Sequence, residues 1–136
     1  MGELINLLNS LLEAERAGVK TMDYLLKNYS SEQLKGKFKH VMADEAWSCA
    51  GLHESIVREG GVPSKATGDF TEKVMSKETL EEKLNLLNKG QGWVARKIDD
   101  ALTYDIHEET RTFLIEMKNK HHDNISDMEK YLEESK

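Results

Sequence analysis

Cysteine occurs once in this chain, as Cys49, so no disulfide can form within it and nothing points to an oxidising compartment. Proline also occurs once, as Pro63, and aromatic residues make up only 7%. Together with abundant Leu, Glu, Lys and Met, all good helix formers, this composition disfavours a β-sandwich or an α/β sheet and favours an all-α protein. No apolar run approaches the roughly 20 residues needed to span a bilayer. The first residues, Met1 to Ile5, lack the basic region and cleavage site of a signal peptide. A cytoplasmic protein without a membrane partner is expected. Basic residues are in deficit, 19 against 25 acidic, for a net charge of −6. No basic face is available for phosphates, so nucleic acid is not expected as a partner either. Phosphate-binding loops, dinucleotide loops, nucleophile elbows and zinc-finger spacings are missing too; Gly60-Gly61 and the pair Gly90 and Gly92 lack the strand context such motifs require.

What remains is helical periodicity over 136 residues, a natural size for one domain spanning 1–136. Leu4, Leu8, Leu11, Val19, Met22 and Leu26 predict a first helix from about Glu3 to Asn28. Ser30 and Gln33 have the spacing of a capping box that opens a second helix through Leu34, Phe38, Val41, Leu52 and Ile56. That helix ends at Gly60-Gly61, with Pro63 beyond. Thr79 with Glu82, or Ser76, caps a third helix through Leu80, Leu84, Leu87, Val94, Ile98 and Leu102. Asp105 with Glu108 predicts the cap of a fourth, through Leu114, Met117, Ile125, Met128 and Leu132.

The first and last joints are short and predict antiparallel hairpins. The middle connection, with little helical periodicity, runs from Gly61 to about Ser76. At about 3.3 Å per residue it can travel the ~40 Å length of such a helix, leaving the second and third helices parallel; the alternative is a loose insert over one end of an up-down bundle, and the crossover is favoured. Phe70, Val74 and Met75 are the residues expected to anchor it.

Placed on helices at about 100° per residue, the apolar residues of each stripe centre on one polar side chain. These are Glu15, Glu45, Gln91 and His121, each near the midpoint of its helix. They therefore meet at one level whichever way each helix runs. Buried carboxylates are costly, and two of them repel, so compensation is required. A metal ion supplies it, since Glu and neutral His ligate iron, manganese or zinc. Without metal, the carboxylates share a proton or pair with the His121 imidazolium, with Gln91 completing a network. Lys118, about 60° from His121, is another source of positive charge.

The pattern resembles the ferritin-like superfamily, whose helices carry Glu, Glu-x-x-His, Glu and Glu-x-x-His in turn. Glu15, Glu45 and His121 match that motif, whereas Ser48, Gln91 and Lys118 stand where the family has His, Glu and Glu. The segments Leu11 to Gly18, Gly90 to Val94 and His121 to Ile125 resemble a small group of bacterial ferritin-like proteins. The resemblance implies a four-helix bundle with a long crossover. A complete set would imply di-iron oxygen or ferroxidase chemistry; the three retained ligands imply a single metal ion, iron or manganese, with a possible redox role. Gln91, Ser48, Cys49, Lys118 and Asp44 are the expected supporting residues.

Two other readings stand beside this one: a bundle without metal that serves as a binding or structural module, and a thiol-redox or small-ligand protein using Cys49. His122 diverges from His121 around the helix and cannot chelate with it. His40, His53 and His107 are expected at the surface or at helix ends, and Glu13 and Glu116 off the core stripe. Trp47 and Trp93 fall on outer faces, where the crossover or a second subunit in a homodimer is expected to cover them.

Overall fold

The computed structural model describes residues 2–29 and 31–135, all helices and connections among them. Four long helices, α1 (Gly2–Asn28), α2 (Glu32–Arg58), α4 (Leu80–Ala101) and α5 (Glu108–Glu134), surround the core, and a short helix α3 (Phe70–Met75) lies in the long connection. None of the described helices is long and apolar enough to cross a membrane.

Local chemistry sets the boundaries. Ser30, the expected cap of α2, lies outside the described residues; Ser31 holds the N-cap, its hydroxyl oxygen accepting the Leu34 N–H at 3.2 Å. At the other end Gly60 adopts φ 92°, and the N–H groups of Gly60 and Gly61 return to the carbonyls of Val57 and Ile56. This paired closure needs the left-handed residue that glycine supplies without strain. Thr79 and Glu82 form the reciprocal capping box of α4.

The box expected from Asp105 and Glu108 does not form. His107 is the N-cap of α5 and makes no side-chain capping bond. A residue distant in sequence takes the role: one Glu59 carboxylate oxygen accepts from the His107 backbone N–H (3.1 Å), its Nδ1 (2.9 Å) and the Thr110 hydroxyl (2.7 Å). An anion at a helix N-terminus is also favoured by the helix dipole.

Two apolar clusters reveal the topology. One contains Leu4 and Leu8 of α1, Leu52 and Ile56 of α2, Val94 and Ile98 of α4, and Leu114 and Met117 of α5. The other contains Met22 and Leu25, Leu34 and Phe38, Leu84 and Leu87, and Met128. α1 and α5 thus run from the first cluster to the second, while α2 and α4 run the opposite way. The expected parallel arrangement of the second and third long helices is present.

The connection makes it possible by climbing the outside of α1. Asn9 donates to the Val62 carbonyl and accepts the Ser64 N–H, Arg16 donates to the Ser64 and Ala66 carbonyls, and the Gly68 N–H reaches the Glu13 carbonyl. Helix α3 escapes a periodicity reading because six residues are too few to show a stripe. Thr71 and Val74 are buried under it, with the Thr71 hydroxyl 2.8 Å from that of Thr21 on α1. Phe70 and Val74 anchor the segment as expected; Met75 does not, being half exposed.

Candidate functional site

Between the two apolar clusters lies the polar layer. Glu15, Glu45, Gln91 and His121 are all present in it, and none is more than 3% exposed. Burial to this degree makes an unpartnered polar group costly, so each needs a compensating partner.

Glu15 on α1 and His121 on α5 meet directly, with Oε1 and Nε2 2.7 Å apart. His121 Nδ1 lies 2.9 Å from the Met117 carbonyl, which can only accept, so Nδ1 carries a proton and Nε2 faces Glu15. The contact lacks the alignment of a hydrogen bond, and neither atom has another partner. Burial opposes charge on the imidazole, yet the adjacent Glu15 carboxylate outweighs it and the His121 pKa is raised.

Glu45 enters from α2. Burial, followed by the negative charges of Glu15 and Asp44, pushes its carboxyl well above the usual carboxylate range. Its Oε1 has no hydrogen-bond partner, and neither do the amide oxygen and nitrogen of Gln91. The room for Glu45 comes from Gly18: a β-carbon there would lie 1.9 Å from Glu45 Oε2. A glycine in mid-helix costs about 1 kcal/mol relative to alanine. That cost, one turn from Glu15, was the available sequence signal for a close approach.

The supporting residues divide. Asp44 accepts from the Asn124 amide at 3.0 Å, linking α2 to α5, and has His40 at 3.3 Å and Lys120 at 3.8 Å. Asn124, buried and one turn beyond His121, was not foreseen; its position on the same face was the clue. Ser48 is fully buried, but its hydroxyl donates to the Asp44 carbonyl in its own helix. Cys49 is half-buried against the apolar cluster of Leu52 and Leu114. Burial, followed by the charges of Glu15 and Glu45, pushes its thiol up to about 12, so the free thiol stays protonated and is a poor nucleophile near neutral pH. Lys118 does not reach inward. Its ammonium pairs with Asp99 of α4 at 3.0 Å on the outer surface, because an exposed carboxylate is a nearer partner than the buried layer.

His53 and His122 are exposed, as expected. Trp47 packs against α5: its ring lies 5.0 Å from that of Phe113, with the Lys120 ammonium 4.8 Å above it. Gly51 admits the Phe113 ring at the position its own β-carbon would take. Trp93 remains 36% exposed beside the crossover.

A cleft of about 460 Å³ between α1 and α4 leads from the crossover to the polar layer. Glu15, Glu45 and Gln91 form its inner end, Ala14, Gly18, Leu87 and Val94 its walls, and Asp69, Phe70, Lys73 and Trp93 its mouth. Gly90 accommodates the Phe70 ring, 2.8 Å from where a β-carbon would be.

Among the described residues, no three His, Cys, Asp or Glu side chains converge closely enough to hold a metal ion. Glu15 and His121 are brought together, and Glu45 is buried in the same layer. The donors are nevertheless of the right kind, and Glu15 Oε1, Glu45 Oε1 and His121 Nε2 are buried without hydrogen-bond partners. This chemistry fits a cation.

Two antiparallel hairpins, a long crossover that leaves α2 and α4 parallel, and a carboxylate–histidine layer at mid-height define a ferritin-like bundle. A solved structure described as that of ferritin-like, diiron-carboxylate proteins from Bacillus anthracis str. Ames matches it with a TM-score of 0.68 and 23% sequence identity, covering 98% of this chain and 92% of that one. The chain itself belongs to the family described as Domain of unknown function (DUF6306), which matches residues 2–130. No curated protein matches the chain.

Proposed function

We propose that this protein binds a single metal ion at the centre of its bundle, held by Glu15, Glu45 and His121. The observation that carries the reading is the set of buried, unpartnered acceptors in one layer. An unsatisfied polar atom in a protein interior is rare, and several together call for a common partner. Two carboxylates and one imidazole favour iron or manganese, with zinc less favoured. The likeness in fold to a structure described as diiron-carboxylate supports a metal-binding reading. A second metal has fewer donors: Ser48 is turned to its own helix, Gln91 carries no charge and Lys118 faces outward. Bound iron or manganese would supply redox or Lewis-acid chemistry. Around it, the His121 Nδ1–H bond to Met117 fixes the ring so that Nε2 faces the layer.

Elemental analysis of protein purified from iron- and manganese-supplemented medium tests this. Stoichiometric metal is expected in the native chain and is expected to be lost in Glu45→Ala and His121→Ala. No metal, with stability indifferent to chelator, would sink the reading.

The Glu15–His121 contact favours one alternative. A carboxylate–imidazolium pair beside a protonated Glu45 is electrically neutral without metal, and the bundle would then be a non-enzymatic binding or structural module.

A further inference from the structure

We infer that the cleft between α1 and α4 binds a small primary alkylammonium ion, its charged head against Glu45 and Gln91 and its alkyl chain along the apolar walls toward Trp93. The inner end of the cleft determines the head group. Glu45 Oε1 and Gln91 Oε1 are acceptors without donors, on side chains each 3% exposed that line this cleft. An ammonium offers three N–H donors and a compensating charge in a compact group. A carboxylate offers no donor to these two oxygens. His121 does not line the cleft, and it pairs with Glu15 at 2.7 Å. Glu45 is therefore the carboxylate left for a cation that enters this way.

The walls determine the tail. Ala14, Leu87 and Val94 leave an apolar passage, and the volume of about 460 Å³ falls within the range of small-molecule sites. At the mouth the charges are already engaged. Lys73 is 3.6 Å from Asp69, and the Glu13 carboxylate accepts the Ser64 hydroxyl. Lys73 is thus held beside Asp69 rather than turned toward the inner acceptors. This inference shares Glu45 with the metal reading but does not rest on it.

The probe is hexylamine, added to chelator-treated protein so that no metal engages Glu45, and the reporter is Trp93 in a Trp47→Phe background, which removes the second tryptophan from a position outside the cleft. Hexanol and hexanoate serve as neutral and anionic controls of equal length. Hexylamine is expected to change Trp93 fluorescence saturably near neutral pH, hexanol to bind about tenfold more weakly because the charge-assisted hydrogen bonds are lost, and hexanoate not to bind. In Glu45→Gln the preference for hexylamine over hexanol is expected to vanish. The inference is overturned if hexylamine gives no saturable change, or if the amine and the alcohol bind the unsubstituted cleft equally. The comparison of the three ligands on unsubstituted Glu45 decides the matter even where Glu45→Gln folds poorly. Elemental analysis reports on the metal separately, so either reading can fail alone.

Discussion

The carboxylate of Glu45 occupies the space that a β-carbon on Gly18 would need, with Oε2 1.9 Å from that position. Helix α1 thus gives up a side chain, one turn from Glu15, to let α2 deliver an acid into the core. Gly18→Ala is expected to destabilise the protein by about 1–3 kcal/mol, because the overpacking cost exceeds the gain in helix propensity. In a Glu45→Ala background the clash is gone, and the same substitution should become neutral or stabilising. Urea denaturation of the four proteins of this cycle measures the coupling; additive effects would show that Gly18 does not serve Glu45.

Stability of chelator-treated protein should fall as pH rises. The folded-state pKa values of Glu45 and His121 both lie above their ordinary values of 4.5 and 6.5. The folded state therefore holds protons that the unfolded state has released. Each contribution is complete below the ordinary pKa and is lost as pH climbs through the raised one. Glu45→Gln is expected to remove the part that begins near 4.5. Denaturation midpoints that rise over this range would contradict the assignment.

Glu59 has the opposite sign. Burial pushes its pKa up, but hydrogen bonds from Thr110 and His107 prevail and the value is lowered. Its stabilisation is present above the ordinary carboxylate range and lost as pH falls through the lowered value. Glu59→Gln should cost about 1.5–3 kcal/mol near neutral pH, the range for hydrogen bonds to a charged group. Faster amide exchange at the start of α5, from His107 onward, would show where the loss falls. Unchanged exchange there would mean that the cap is not needed.

Cys49, with its thiol pushed up to about 12, should react with a disulfide reagent far more slowly than a free cysteine at pH 8. Reaction should become fast on addition of denaturant. Rapid labelling of the native protein would restore the thiol-redox reading.

The polar layer was legible in the sequence because helical phase and mid-helix position are properties of each helix alone. Glu15, Glu45, Gln91 and His121 needed no knowledge of their neighbours to be placed. Residues whose role depends on another element were not legible in this way. Asp105 and Glu108 have capping-box spacing, yet Glu59, brought close only by folding, caps α5. Lys118 lies near the edge of the buried stripe, and whether it turned in or out depended on Asp99 across the α4–α5 interface. Convergence of Glu45 with Glu15 and His121 into one ligand set is likewise a matter of side-chain reach, which helical phase does not specify.

The polar layer also divides the apolar interior into two compartments, each assembled from all four long helices. Each compartment packs the four long helices together, so the layer between them is not alone in holding them in register. Side chains at mid-height can then be exchanged, as with Ser48, Gln91 and Lys118 relative to the ferritin-like pattern, while the scaffold persists. In such a bundle architecture and chemistry are separable, and a centre can be rewritten without rebuilding what surrounds it.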